Sequence, residues 1–400
     1  MTHPDFPGLH VRSAPYQADL YPYYAALAAE DRLIRDDGNG WWVAASARVV
    51  EEVLLSPICH TRPREGRVPA ALGEGALARI YGGRVRQRDD ETSDRLRGAL
   101  LAALTSLDAH DVAAATRARA EELAHEIGSP VDAAFVTRFI YALPTQTIAR
   151  LLGVADAHLA ALPDRLKAYG AAISAAGTGV PAPSPALFET GEEAATALWA
   201  MIGDLLDTPD RHGPLLAALV REAAARECAE REDLIANAIG YLFQGFVGPA
   251  ALIGLTLVHL HRNPLERARL ADDPARLRAV IQETLRYDAS TSSTVRFVVE
   301  DGVIDGTPVA TGDVIMVVIG AAGRDPKLNP HPDVFDADRA DRRYFEFGAG
   351  RHACPARDIA PVIAEAGAAF LLERGAPLAE LEATLVFPPS PHIRAPRFEP

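Results

Sequence analysis

The fold of this chain is decided largely by one stretch of its sequence, Phe347-Gly348-Ala349-Gly350-Arg351-His352-Ala353-Cys354-Pro355-Ala356. Gly348 and Gly350 allow a tight turn and a close approach of the backbone to a large, flat group. Pro355 suits the first position of a helix, where a missing N–H costs nothing. Cys354 is therefore predicted to lie at a helix N-terminus, where free N–H groups favour its thiolate.

A thiolate buried at Cys354 needs a positive partner, and a metal ion is the obvious one. One cysteine cannot build a zinc or iron–sulfur site, whereas one thiolate is enough as the axial ligand of a haem iron. Two alternatives are a buried structural cysteine and a dinucleotide-binding turn, because Gly348, Gly350 and Ala353 fit Gly-x-Gly-x-x-Ala. That turn should follow a first β-strand, whereas this stretch lies near the C-terminus.

The stretch resembles the haem-binding signature of the cytochrome P450 family, Phe-Gly-x-Gly-x-His/Arg-x-Cys-x-Gly. It departs from it only at the last position, where Ala356 replaces glycine. The resemblance implies a mainly α-helical P450-like fold with a small β region, as a single domain over residues 1–400. It also implies haem b (iron protoporphyrin IX) as the cofactor, with Cys354 as the metal ligand and Phe347 and Gly350 in the cofactor-binding loop.

Two upstream motifs extend the resemblance. Residues 282–286 contain Glu-x-x-Arg, and Glu283 and Arg286 share one face of a helix because they are three residues apart. Residues 332–339 resemble the family's Pro-x-x-Phe-Asp-x-x-Arg. The resemblance implies that Arg339 completes a buried charged triad with Glu283 and Arg286, which stabilises the fold.

A haem carries two propionates, which need cationic donors. The resemblance assigns this role to Arg97, Arg296 and His352. Ser93 stands where many bacterial members of the family have a histidine.

The central helix departs from the family pattern. Its usual Ala/Gly-Gly-x-Asp/Glu-Thr motif, which delivers protons to iron-bound dioxygen, is replaced by residues 244–248, Gln-Gly-Phe-Val-Gly. Of the catalytic positions, Gly245 is retained and should let the backbone approach the haem. Val247 and Gly248 replace the acid and the alcohol, and neither side chain can transfer a proton. Pro249 should kink the helix.

Protons for oxygen chemistry must then come from the substrate, from ordered water or from the loop 290–294. Alternatively, the reaction is an oxidative coupling or a cyclisation, which needs them less. Substrate-contacting loops are expected at 62–84 and 170–189. The side chains expected in the substrate pocket are Gln244, Phe246, Ser293 and Thr294.

Composition narrows the class of protein. The formal net charge of −14 argues against nucleic-acid binding. Three cysteines are too few for a disulfide framework, and no signal peptide is visible, which indicates a cytoplasmic protein. Residues 234–258 carry no charge and are long enough to cross a bilayer, but they contain Asn237, Gln244 and Pro249. We expect a buried core helix there and no membrane partner.

The hydrophobic periodicity predicts mostly helix. Helices are expected at 93–107, 113–127, 192–206, 233–262 and 274–287, and strands at 41–44, 295–299 and 314–319. The Gly- and Pro-rich residues 177–185 are predicted to form a loop, which could be an interdomain linker. The resemblance implies instead that this loop lies over the substrate entrance.

The sequence thus predicts a haem-thiolate oxidoreductase that tailors a small natural product in bacterial secondary metabolism. A ferredoxin and a ferredoxin reductase are the expected redox partners. Five arginines and only two acids lie between residues 339 and 357, an excess that could attract an acidic electron-transfer protein. The alternative is that Arg339 is buried and the other arginines only balance nearby acids. The alternative function is that of a haem-binding interaction module on a biosynthetic assembly line, where a carrier protein would be the partner.

Overall fold

A computed structural model describes residues 5–6, 9–66 and 68–399 of the chain. The fold is mainly α-helical with a small β region, as predicted. The α-helices are α1 (Tyr21–Ala29), α2 (Ala47–Leu55), α3 (Ala76–Gly83), α4 (Glu91–Thr105), α5 (Ala109–Ile127), α6 (Ala133–Leu152), α7 (Leu162–Thr178), α8 (Pro185–Leu206), α9 (Pro214–Ala225), α10 (Arg231–Arg262), α11 (Pro264–Asp272), α12 (Leu277–Tyr287), α13 (Ile319–Ala322), α14 (Ala360–Glu373) and α15 (Leu378–Ala383).

The strands form one sheet and two hairpin-like pairs. They are β1 (Ile34–Asp36), β2 (Trp41–Ala44), β3 (Cys59–His60), β4 (Thr294–Val298), β5 (Gly302–Ile304), β6 (Thr307–Val309), β7 (Val314–Val317), β8 (Leu385–Val386) and β9 (Arg397–Phe398). The sheet has the order β1-β2-β7-β4-β3, in which β2 and β7 run parallel and the other neighbours antiparallel. Because Arg296 pairs with Ile315 in the middle of this sheet, its backbone position is fixed.

Helix starts follow local capping chemistry. The Asp90 side chain accepts the N–H of Ser93 at 2.8 Å, and the Ser93 hydroxyl in turn accepts the N–H of Asp90, which starts α4 at Glu91. Ser184 caps α8, which begins at Pro185 and so ends the entrance loop there. The predicted helix at 192–206 is therefore longer than its apolar periodicity indicated.

The helix α10 forms the centre of the molecule and continues through Pro249. It packs against α6 and α14, between the two largest apolar clusters of the core. Among the described residues, α10 is the one helix long and apolar enough to cross a bilayer, and most of its residues are buried within the protein. That burial matches the predicted core helix.

The segment after Cys354 differs from the prediction. Residues 355–359 form turns, and α14 begins only at Ala360. The first bond of α-helical spacing runs from the N–H of Ala360 to the carbonyl of Ala356, at 2.9 Å. The prediction that Cys354 lies directly at a helix N-terminus is thus corrected, because turns separate the cysteine from α14.

Candidate functional site

The loop that precedes Cys354 is a tight turn that its glycines make possible. Gly348 and Gly350 have φ values of 64° and 66°, in the left-handed region that L side chains rarely adopt. The N–H of Gly348 donates to the Phe345 carbonyl at 2.7 Å, and the N–H of Cys354 donates to the Phe347 carbonyl at 2.7 Å. A side chain at Gly350 would also come within 3.1 Å of a carbonyl oxygen of α2. The turn therefore holds the cysteine backbone in one place.

The surroundings of the Cys354 thiol act on its ionisation in two opposite directions. The N–H of Ala356 donates to the sulfur, and the charges of Arg86 and Arg357 favour the thiolate. Burial is the larger effect and raises the pKa of the Cys354 thiol. The local N–H group favours the thiolate as predicted, but desolvation outweighs it, so a buried thiolate at Cys354 needs a positive partner. A cation bound to the sulfur would reverse this balance.

The residues predicted to bind propionates gather around one carboxylate, that of Asp89. His352 Nε2 lies 2.5 Å from Asp89 Oδ1, and the charges of Arg97 and Arg296 both act on His352. Arg97 also donates to Asp94 at 2.5 Å and to two carbonyl oxygens at 3.1 Å. Burial opposes ionisation of Asp89, but the hydrogen bond and charge of His352 lower its pKa to about 2. The structure thus brings the predicted cations together and adds an acid that the sequence analysis missed.

These residues fit a haem. Arg296 is 4% exposed, and its Nε has no hydrogen-bond partner among the described atoms. A buried guanidinium with an unpaired N–H costs free energy unless an anion completes it. The half-buried sulfur of Cys354 matches a haem iron. The buried Arg296 guanidinium, which has a spare donor, matches a propionate.

One face of α10 borders space that the protein does not fill. Gln244 is exposed, and Val247 and Gly248 are half-buried, although most of this helix is buried. A Cβ atom on Gly248 would meet no described atom within 4 Å. Because residues three and four apart share a helix face, these three positions face the same space. The acid and alcohol positions of the family motif therefore adjoin this space without a proton donor.

Gly245 and Phe246 contact α6, and the expectation that Phe246 lines the pocket is corrected here. A Cβ atom on Gly245 would overlap Cδ1 of Ile148 in α6, and the buried Phe246 ring packs 5.6 Å from the Tyr141 ring. Gly245 therefore packs against α6, and approach of its backbone to the cofactor stays a prediction. The buried Phe246 ring packs on α6 and does not face the same space as Gln244.

Gly245→Ala is expected to give a less stable protein than Gly248→Ala, because its methyl group must displace the half-buried Ile148 side chain. Chemical denaturation would measure the difference. Ile148→Val removes the clashing atom, so Gly245→Ala should cost much less in that background. Gly248→Ala is the matched control, because its new methyl group meets open space and alanine favours the helix. Equal stabilities of the Gly245→Ala and Gly248→Ala variants would contradict this packing role.

The hydroxyl groups of residues 290–294 are mostly engaged elsewhere. Ser293 is buried and donates to a carbonyl of the C-terminal segment at 2.9 Å, and Ser290 donates to the buried Glu346 at 2.6 Å. Thr294 is half-buried and accepts from Arg296 at 3.4 Å. Ser293 is thus corrected from pocket residue to structural anchor. Its bond to the C-terminal segment could not be deduced from local sequence.

Glu283 lies at the centre of a buried ion-pair network that exceeds the predicted triad. Arg286 Nη2 donates to Glu283 Oε1 at 2.6 Å, and both side chains are 0% exposed. Arg342 Nε donates to Glu283 Oε2 at 2.9 Å, whereas Arg339 Nε is 3.5 Å from Oε1 and uses its Nη groups for carbonyl oxygens. Arg342 was missed because it lies beyond the end of the recognised motif. Three cations thus share one carboxylate.

Three further arginines near the site were missed: Arg62, Arg84 and Arg86. The guanidinium carbons of Arg62 and Arg84 lie 5.4 and 5.3 Å from the centre of the Tyr81 ring. Arg86 acts electrostatically on Cys354. They belong to or follow the predicted substrate loop 62–84, in which position 67 lies outside the described residues. The close spacing of arginines at the end of this loop was the sequence feature that could have indicated them.

Comparison with known proteins gives one consistent result. Residues 275–374 match the family model of cytochrome P450. A Xylella fastidiosa (strain 9a5c) protein named as cytochrome P450 133B2 is 30% identical over 283 residues, which cover 70% of this chain and 69% of the relative. The mycinamicin IV hydroxylase/epoxidase of Micromonospora griseorubida is 28% identical over 85% of this chain and 89% of its own length.

A solved structure supports the fold. P450BioI, crystallised in complex with an acyl carrier protein ligated to hexadec-9Z-enoic acid, superposes with a TM-score of 0.79. The alignment covers 94% of this chain and 96% of that one, at 20% identity. At this identity the likeness concerns the fold alone.

Proposed function

This chain belongs to the cytochrome P450 family, and we propose that it catalyses the oxidative tailoring of a small natural product. The carrying observation is the buried Cys354 in its Gly-x-Gly turn, beside unpaired cations and the open face of α10. Oxidation of a natural product is also what the name of the mycinamicin relative describes. The test is a binding-spectrum screen of bacterial natural products on haem-loaded protein, followed by mass spectrometry with reductant and oxygen. Haem-loaded protein that converts no ligand in this screen would contradict the proposal.

We propose haem b as the cofactor, with Cys354 bound to iron and Arg97, Arg296 and His352 near the propionates. Bound haem would supply the iron chemistry that activates dioxygen. The spare Nε donor of Arg296 supports this assignment. Because Asp89 already binds His352, a propionate would have to share that cation with a neighbouring carboxylate.

The source of protons is the substrate or water that the substrate orders. Val247 and Gly248 carry no proton donor, and Ser290 and Ser293 donate to other groups. Gln244 faces the open space, where its amide can orient water but cannot act as an acid at neutral pH. Hydroxylation with substrate-assisted proton delivery, or an oxidative coupling or cyclisation, follows from this set of groups.

Restoring the relay should improve the use of reductant. The double variant Val247→Glu/Gly248→Thr places an acid and an alcohol on the open face, where the space beside Gly248 can accept a larger side chain. Product formed per reductant consumed should rise severalfold for a substrate without polar groups. Val247→Gln/Gly248→Val is the matched control, because it adds bulk without an acid. Equal coupling in the two variants would show that the missing relay does not limit the reaction.

The family uses redox partners, and we propose a ferredoxin with its reductase. The exposed arginines near the cysteine loop are Arg343, Arg351 and Arg357, since Arg339 and Arg342 are committed to the buried network. An acidic protein could dock on this smaller cluster.

Arg357→Glu should slow the first electron transfer from a ferredoxin severalfold at low ionic strength, and less at high ionic strength, because salt screens exposed charges. Stopped-flow reduction would measure the rate. Arg64→Glu, an exposed arginine in the loop 62–84, should leave it unchanged. Equal slowing by both variants would contradict a docking site beside the cysteine loop.

We further propose that the protein works in the cytoplasm on a small molecule that is free or linked to a carrier protein. The buried position of α10 in the core is in line with this location. The interaction-module alternative receives no support from the site, because Cys354 and the cations are retained.

A further inference from the structure

An arginine cluster, Arg62, Arg84 and Arg86, lines one end of the open space beside α10. A Cβ atom on Gly240 would contact the Arg84 side chain at 3.6 Å. Gly240 lies on the same helical face as Gln244 and seven residues before Val247, about 10 Å along the axis at 1.5 Å per residue. Arg84 is thus separated from the oxygen-activation positions by the length of a small molecule, whereas Arg86 lies within electrostatic reach of Cys354.

The arginine cluster is not neutralised by the protein. Among the described residues, no carboxylate lies at ion-pair distance from any of its three members. Arg62 Nε donates to the Gln87 amide oxygen at 2.5 Å, and Arg84 is 4% exposed with an unpartnered Nε. The Arg86 side chain is accessible to water although protein surrounds it, as expected of a group that projects into an internal cavity.

The geometry favours an anion at this position. Arg62 and Arg84 both rest on the Tyr81 ring, and Arg84 also lies 5.4 Å from the Phe243 ring centre, so aromatic surfaces hold both guanidinium groups in place. Burial and then the like charge of Arg62 lower the pKa of Arg86 to about 10, which leaves it charged at neutral pH. Repulsion between neighbouring like charges destabilises the site without a ligand, and an anion that bridges the guanidinium groups would relieve it.

Arg86 lies within electrostatic reach of Arg296 and Cys354 and therefore borders the proposed haem site, so haem propionates account for at most part of this cluster. Two propionates have Arg97, Arg296 and His352 within one group around Asp89. Arg84 instead packs against Gly240, two helical turns before the oxygen-activation positions.

We propose that the substrate carries a carboxylate, which the arginine cluster binds while the carbon to be oxidised lies near Val247 and Gly248. This inference rests on the proposed function and names the substrate class of the same site. Arg62 and Arg86 are binding residues, since they hold the anion and take no part in the oxidation. Their donors replace the water that a carboxylate gives up on entering the cavity.

The test uses haem-loaded protein and ω-(imidazol-1-yl)alkanoic acids of graded length, each compared with its primary amide. The imidazole nitrogen binds the iron and gives a spectral shift, so affinity is read without turnover. At the best length the acid should bind about tenfold to a hundredfold more tightly than the amide, as expected for charge-assisted hydrogen bonds. Arg86→Gln and Arg62→Gln should each remove most of this preference, and the exposed Arg64→Gln should keep it.

Three outcomes would overturn the inference. The acids and amides bind the unmodified protein equally at every length. Arg86→Gln or Arg62→Gln lowers haem occupancy but keeps the acid preference, which would assign these arginines to the propionates. Arg64→Gln removes the preference as strongly, which would make it a general charge effect. A protein that takes up no haem would instead contradict the proposed function, and the two failures are therefore distinguishable.

Discussion

Replacing Cys354 by alanine is expected to abolish the absorption band that thiolate-ligated haem gives when reduced protein binds carbon monoxide. The sulfur is set in a closed turn, in a pocket where burial raises the thiol pKa and a bound cation would favour the thiolate. No other cysteine can take its place, because Cys59 lies in β3 and Cys228 donates to a carbonyl at 3.5 Å in another part of the core. Catalytic oxidation should be lost together with the band.

Cys228→Ala is the matched control for this experiment. It also removes a buried free thiol, so it tests whether loss of any buried sulfur disturbs haem binding. It should keep the carbon monoxide band, at a small cost in stability. A Cys354→Ala variant with an unchanged spectrum would contradict the assignment of Cys354 as the iron ligand and with it the proposed cofactor site.

Glu283→Ala should cost about 3–5 kcal/mol of stability, because it leaves Arg286, Arg339 and Arg342 buried around a missing carboxylate. This is a large share of the about 5–15 kcal/mol that stabilises a typical protein. The variant should be recovered largely unfolded or unable to retain haem. Denaturant unfolding and haem content, measured on the same preparation, would show both effects.

Glu365→Ala is the surface control for the Glu283 experiment. Glu365 pairs with Arg278 at 3.1 Å, but both side chains are substantially solvated, so its loss should change stability by about 0–1 kcal/mol. Normal stability and full haem content in Glu283→Ala would show that the three arginines find other partners. Arg339 already donates to two carbonyl oxygens, so it would lose less than Arg286 when the Glu283 carboxylate is removed.

The arginine cluster offers a way for the substrate to take the place of the absent proton relay. A carboxylate-bearing substrate bound at one end would have a fixed orientation in the space beside Gly248, and any hydroxyl it carries would then have a defined position. Specificity and proton delivery would both depend on the substrate's own polar groups. It follows that the less polar the substrate is, the poorer its coupling of reductant to product should be.

The sequence by itself determined the family, the fold class and the position of Cys354, because each depends on local order. A Gly-x-Gly turn needs its residues at fixed spacing, and Glu283 and Arg286 meet because one helical turn brings them together. The central helix and strand β2 could likewise be located from apolar runs and β-propensity.

Only the tertiary structure decided which side chains face the site. Phe246 was placed at the cavity by motif position, yet its contact with α6 turns it away from Gln244's face. Arg342 reaches Glu283 across 59 residues of chain, and Arg84 meets Gly240 from the bend that follows α3. Such contacts depend on how helices pack, and no spacing along the chain encodes them. Burial, which sets the pKa of Cys354 and the uncompensated charge of the arginine cluster, is likewise a property of the assembled fold.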